Sequence, residues 1–177
     1  MNAGWLPRSG PRTLEASERE DRQMTDITTT TTEITPEASV RDAVLRWKAS
    51  FEAKDVDAMM TFYAPEGFTA FDLMPPLEFS GGPMWRENWV TFFGAFDGSV
   101  RLDVSDLEIH TGGDLAFMRA FVRLRGVMYG AALDTWVRQT NCFRLIDGTW
   151  LMIHDHVSWP TDFATGRSLM NLVPDAG

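Results

Sequence analysis

Residues 135–158 read TWVRQTNCFRLI-DG-TWLMIHDHVS. Two runs rich in β-branched and aromatic residues flank Asp147-Gly148, a dipeptide suited to a tight hairpin turn. The stretch predicts strands over 135–146 and 150–158, the second stopped by Pro160. Upstream, 100–109 alternates and 115–127 is one long strand, with the turn Thr111-Gly112-Gly113-Asp114 between them. Four strands in succession, joined by tight turns, must lie as antiparallel neighbours.

Ahead of these strands come helices. Thr35 caps, Pro36 suits the first helical position and Glu37 favours the positive end of the helix dipole. Val40, Val44, Trp47 and Phe51 then recur at helical spacing. A short second helix follows Asp55, with Val56, Met59, Met60 and Tyr63 on one face, and Ala64-Pro65-Glu66-Gly67 breaks it. Residues 67–72 read as a short strand ended by Pro75-Pro76. Ser80-Gly81-Gly82-Pro83 opens a third helix striped with Trp85, Trp89, Phe92 and Phe96. Helices early and strands late make an α+β domain, with three helices packed on a curved, mostly antiparallel sheet.

The chain has 177 residues, the usual size of one domain. Its 44% hydrophobic and 12% aromatic content is ample for a core and for ring-lined pockets. A formal net charge of -9 argues against nucleic acid and anionic membranes as partners, since both select clustered cations. The one basic cluster, Arg119, Arg123 and Arg125, shares a strand face and is expected to pair with carboxylates such as Asp103 and Glu108. A single cysteine, Cys142, forms no internal disulfide, fits a reducing cytoplasm, and reads as a small core residue. No run approaches the length of a membrane span. Residues 1–34, with five consecutive threonines, read as a disordered tail, and Met24 is a plausible alternative start. The domain is expected over 35–163, with a C-terminal tail over 164–177.

Several segments resemble the SnoaL-like, ketosteroid-isomerase-like branch of the NTF2-like (cystatin-like) superfamily. They are Phe62-Tyr63-Ala64-Pro65, Phe71-Asp72 with Pro75-Pro76-Leu77, Gly81-Gly82 before an aromatic helix, Arg138-Gln139-Thr140, and the closing strand from Asp147 through His154-Asp155-His156 to Pro160. The resemblance runs from about Thr35 to Asp162. It implies a conical pocket for a small, mostly apolar, polyketide- or steroid-like molecule. It fixes no single reaction, because relatives include isomerases, cyclases, dehydratases and pure binders.

His154 and His156 alternate on a strand and so are expected to share a face with Trp150 and Met152, pointing into the pocket. The bland alternative is a satisfied core histidine. Asp72, at the end of its strand, serves as general base if its surroundings are apolar, or else merely caps a turn. His154, His156 and Tyr63 are the candidate hydrogen-bond donors to a developing oxyanion. Phe71, Trp85, Trp89, Trp136, Arg138, Thr140 and Trp150 are the candidate substrate-binding residues, with Arg138 able either to pair with Asp72 or to stay on the surface. His-x-His also suits a metal, but the chain has three histidines and His110 lies by a remote turn, so neither metal nor cofactor is expected. The leading expectation is an acid–base isomerase, cyclase or dehydratase. The alternatives are a non-catalytic ligand-binding domain and an oligomerisation module. A homodimer is expected through a sheet face carrying Phe117, Phe121 and Phe143 among Arg119, Gln139 and Asn141.

Overall fold

The structure is a computed structural model that describes residues 34–175. The expected N-terminal tail and the alternative start at Met24 lie outside the described residues.

Helix α1 spans Pro36–Glu52, with the Thr35 hydroxyl accepting from the Ala38 N–H at 3.2 Å. It buries Val40, Ala43, Val44, Trp47 and Phe51, so the stripe read from spacing is the packed face. Helix α2, Val56–Met60, is capped by Asp55, whose carboxylate accepts from the Ala58 N–H at 2.9 Å. Helix α3, Gly82–Gly94, buries Trp85, Trp89 and Phe93. Its rings pack on those of α1 and on one another, with Phe51 edge-on to Trp89 at 5.6 Å. Such pairs add to the area they bury because ring edges are positive and ring faces negative.

The strands are β1 Thr69–Phe71, β2 Phe79–Ser80, β3 Arg101–Gly112, β4 Leu115–Met128, β5 Ala131–Ile146, β6 Thr149–Ser158, β7 Thr161–Asp162 and β8 Arg167–Ser168. The first six form one sheet in the order β2-β1-β6-β5-β4-β3, in which only β1 and β6 run parallel. β4 and β5 are longer than their side-chain pattern suggested, because a turn at Tyr129-Gly130 lets the ladder continue to Met128 and Ala131. The segment after residue 163 does not hang free: β8 pairs with β7, and the Met170 carbonyl accepts from the Thr135 hydroxyl at 2.7 Å.

One sheet face packs on the helices through Ala116, Met118, Ala120, Val122 and Leu124 of β4 and Val137 and Phe143 of β5. The other carries the arginines. Arg119 pairs with Glu108, Arg125 with Asp103, and Arg123 with Asp134 at 2.7 Å. The first two are the partners expected from the sequence.

A β-bulge decides what β6 presents to each face. The β5–β6 pairing passes from Cys142↔His154 directly to Phe143↔Met152, leaving Ile153 as an extra residue. Trp150 and Met152 are buried on the inner face, but beyond the bulge the parity changes. Asp155 is then the inward residue, while His154 and His156 stand opposite Cys142 and Thr140 on the outer face. The expectation that both histidines share a face with Trp150 and Met152 is thus corrected. Phe143, Gln139 and Asn141 are likewise inward and buried, which removes them from the expected dimer face and leaves Phe117 and Phe121 there.

Candidate active site

β1 and β6 run side by side, with Ala70 opposite Asp155. Ala70 is inward, so the chain leaving β1 carries Asp72 inward too. Asp72 and Asp155 line one interior cavity of about 60 Å³ with Gln139 and walls that include Trp47, Phe51, Trp89 and Phe92. A second, open cleft of about 590 Å³ lies outside it, lined by residues that include Phe71, Leu77, Glu78, His156 and Trp159. Asp72, Leu73 and Val157 border both spaces, so the cleft and the cavity adjoin at Asp72.

Asp72 is held from two sides. One oxygen accepts from the Leu73 N–H at 2.7 Å and the other from Asn88 of α3 at 2.8 Å. Burial raises its pKa above the usual carboxylate value, and those two donors oppose the rise. Asp155 lies deeper, 2% exposed. Burial pushes its pKa up to about 7, Gln139 and Asn141 oppose that, and the neighbouring charge of Asp72 adds to it. The Gln139 amide donates to its carboxyl at 3.3 Å. Asp155 therefore holds its proton to a higher pH than an ordinary carboxylate does.

Tyr63 is buried behind this pair, and its hydroxyl accepts from the Trp47 indole at 2.8 Å. Burial, helped by the charge of Asp155, raises its pKa well above that of a free phenol, so it stays protonated. Trp89 lines the cavity, and its buried indole, with those of Trp85 and Trp47, lies by the Tyr63 hydroxyl and opposes the rise in the phenol's pKa.

Of the candidate residues, Asp72 and Trp89 line the cavity, Phe71 and His156 line the outer cleft with Asp72, and Tyr63 is buried in the core without lining either. Trp85 is buried in the core against Tyr63, Phe68, Phe79 and Trp89 and does not line the cavity. Trp150 is inward but also away from the cavity lining. Trp136, Arg138 and Thr140 point to the outer face, where Trp136 lies under Arg123. Arg138 is exposed and makes no pair with Asp72. His154 shares a 2.8 Å hydrogen bond with Thr69, and partial burial followed by the nearby His156 lowers its pKa. Phe71 packs edge-on against both imidazoles, at 4.7 and 5.8 Å. Sequence reasoning missed Asp155 and Gln139 as site residues. The available signal was the odd-numbered series Leu151, Ile153, Asp155, Val157, which is as apolar around its carboxylate as the even series is around its histidines. Among the described residues no three His, Cys, Asp or Glu side chains converge as a metal site.

A curved antiparallel sheet wrapped on three helices, with carboxyls aimed into the space between, defines an NTF2-like domain. The SnoaL-like domain family matches residues 40–162, and the chain belongs to it. No curated protein matches the chain. Among solved structures, an NTF2-like protein of unknown function from Pseudomonas putida KT2440 is 27% identical, with a TM-score of 0.72 over 78% of this chain and 96% of that one. An NTF2-like superfamily protein from Salmonella enterica serovar Typhimurium LT2 is 18% identical, with a TM-score of 0.65 over 75% and 96%. A protein with a cystatin-like fold from Nostoc punctiforme is 17% identical, with a TM-score of 0.57 over 67% and 86%.

Proposed function

We propose that this domain is an acid–base catalyst of the isomerase, cyclase or dehydratase kind, acting on a small, mostly apolar carbonyl compound. The observation that carries the reading is that Asp72 and Asp155 line one ring-walled cavity, in surroundings that raise the pKa of both. A base tuned toward neutrality removes a proton next to a carbonyl more effectively than an ordinary surface carboxylate. Asp72, which borders both the cavity and the cleft, is the base. Asp155, protonated, donates to the oxygen that gains charge, and Gln139 holds it in place. In this reading His154 and His156 do not touch the reacting atoms.

Proton exchange tests it whatever the natural substrate is. The full chain is incubated in deuterated buffer with a panel of saturated and β,γ-unsaturated cyclic ketones, and incorporation next to the carbonyl is followed by NMR. At least one ketone should exchange faster than in buffer. Asp72→Asn should slow that exchange by about 100-fold or more, the usual worth of a general base, while His154→Ala stays within about twofold of wild type. No exchange above buffer for any ketone, or a wild-type rate in Asp72→Asn, overturns the proposal.

A purely ligand-binding role is favoured by one feature. The inner cavity, at about 60 Å³, is far smaller than the ~300–1,000 Å³ of common ligand sites. Under that reading ligands occupy the outer cleft, and no ketone exchanges.

A further inference from the structure

The two adjoining spaces, which share Asp72, Leu73 and Val157, differ in chemistry, and the difference describes a ligand. The inner cavity has room for only a small head group. It offers that head the Asp155 carboxyl and the Gln139 side chain, beside the Trp89 ring. A head group carrying a carbonyl or hydroxyl oxygen fits these donors.

The outer cleft holds the rest of the molecule. Its walls include two aromatic rings and two carboxylates, Phe71, Trp159, Asp72 and Glu78, and no Lys or Arg. Both rings are fixed in place. Phe71 is wedged against His154 and His156, and the Trp159 indole donates to the Thr135 hydroxyl at 3.1 Å. The oxygens of Asp72 are already engaged by Asn88 and Leu73. Glu78 is exposed and forms no ion pair among the described residues, though its charge reaches His154. Fixed ring faces beside an unpaired carboxylate attract an alkylammonium group through cation–π and ion-pair contact. Neither lining holds a Lys or Arg to meet an anionic group, and His156 is the one cationisable side chain among the lining residues.

We propose that the ligand of this site is bipartite: a compact, oxygen-bearing apolar head seated against Trp89 and Asp155, and a body carrying a basic amine held between Phe71, Trp159 and Glu78. This rests on the reading of the cavity as a small-molecule site and adds the ligand's charge.

Three probes share a naphthyl ketone and differ only in the side arm, which ends in dimethylammonium, in isobutyl as the neutral isostere, or in carboxylate. Their binding to the full chain is measured by isothermal titration at pH 7.5. The ammonium probe should bind about tenfold more tightly than the neutral one, the scale of one cation–π contact with one exposed ion pair. The carboxylate probe should bind more weakly than both. Glu78→Gln should bring the ammonium probe to the neutral probe's affinity and leave the latter unchanged, and added salt should narrow the gap in wild type. Equal affinities for the ammonium and neutral probes, or a preference that survives Glu78→Gln, overturn the amine assignment and leave the acid–base reading standing. Failure of all three probes to bind overturns both.

Discussion

Asp155 concentrates the consequences of burial in one side chain. Its folded-state pKa, raised to about 7, lies above the ordinary carboxylate value near 4 that it regains on unfolding. Between those values the native state holds a proton that the unfolded chain has lost, so its contribution to stability falls as pH rises from about 4 to about 7 and is constant above. Asparagine keeps the shape of the protonated acid and has no charge to desolvate. Asp155→Asn should therefore melt higher than wild type at pH 8, by about 4 °C or more, with the gap closing toward pH 4. A pH-independent gap would show that Asp155 is not held protonated by its surroundings. Tyr63→Phe acts oppositely: it strips the acceptor from the buried Trp47 N–H, which costs about 1–3 kcal/mol and lowers the melting temperature at every pH. The inward turn of Asp72, by contrast, follows from its place two residues after the buried Ala70. A carboxylate ending a strand between apolar residues has its environment written in its immediate neighbours.

At the scale of elements, side-chain pattern settled most of the fold, because helical stripes and strand alternation are local. α1, α3 and the four long strands all lie where their periodicity places them. What failed was parity in β6. A bulge depends on how the partner strand pairs, and nothing between Met152 and Asp155 announces that Ile153 is unmatched. The two-residue strands β2, β7 and β8 escaped for the same reason, being defined by partners and not by pattern. Another contact invisible in sequence joins the turn that follows α3 to the sheet. A Cβ on Gly126 of β4 would sit 2.8 Å from the Phe96 ring and 3.2 Å from the Ser99 carbonyl, and the backbone of Ser99 has little room to yield. Gly126→Ala should cost about 1–3 kcal/mol and lower the melting temperature by several degrees. Gly94→Ala, where the added methyl meets nothing within 4 Å, should leave it unchanged or slightly raised. Equal effects from the two would show that Phe96 does not press on the sheet.

At the scale of the whole domain, the outer sheet face is the surface on which the expected homodimer can be tested. Phe117 is 45% exposed and stacks on His110 at 4.8 Å, beside arginines already neutralised by Glu108, Asp103 and Asp134. An apolar strip rimmed by internally paired charges suits a self-complementary contact about a twofold axis. Light scattering at tens of micromolar should give twice the chain mass, and Phe117→Glu should halve it. A monomer mass for the unaltered chain would rule out this face as a dimer contact under those conditions.

The bulge at Ile153 behaves as a frameshift written in space instead of in codons. One unmatched residue reassigns every later side chain of β6 to the opposite face while the sequence reads on undisturbed. A relative without it would carry its inward group at the position aligned with His154 and turn the one aligned with Asp155 outward. Functional residues are therefore transferable among these proteins only after strands are matched by face, and an ungapped alignment through His154-Asp155-His156 would equate the inside of one domain with the outside of another.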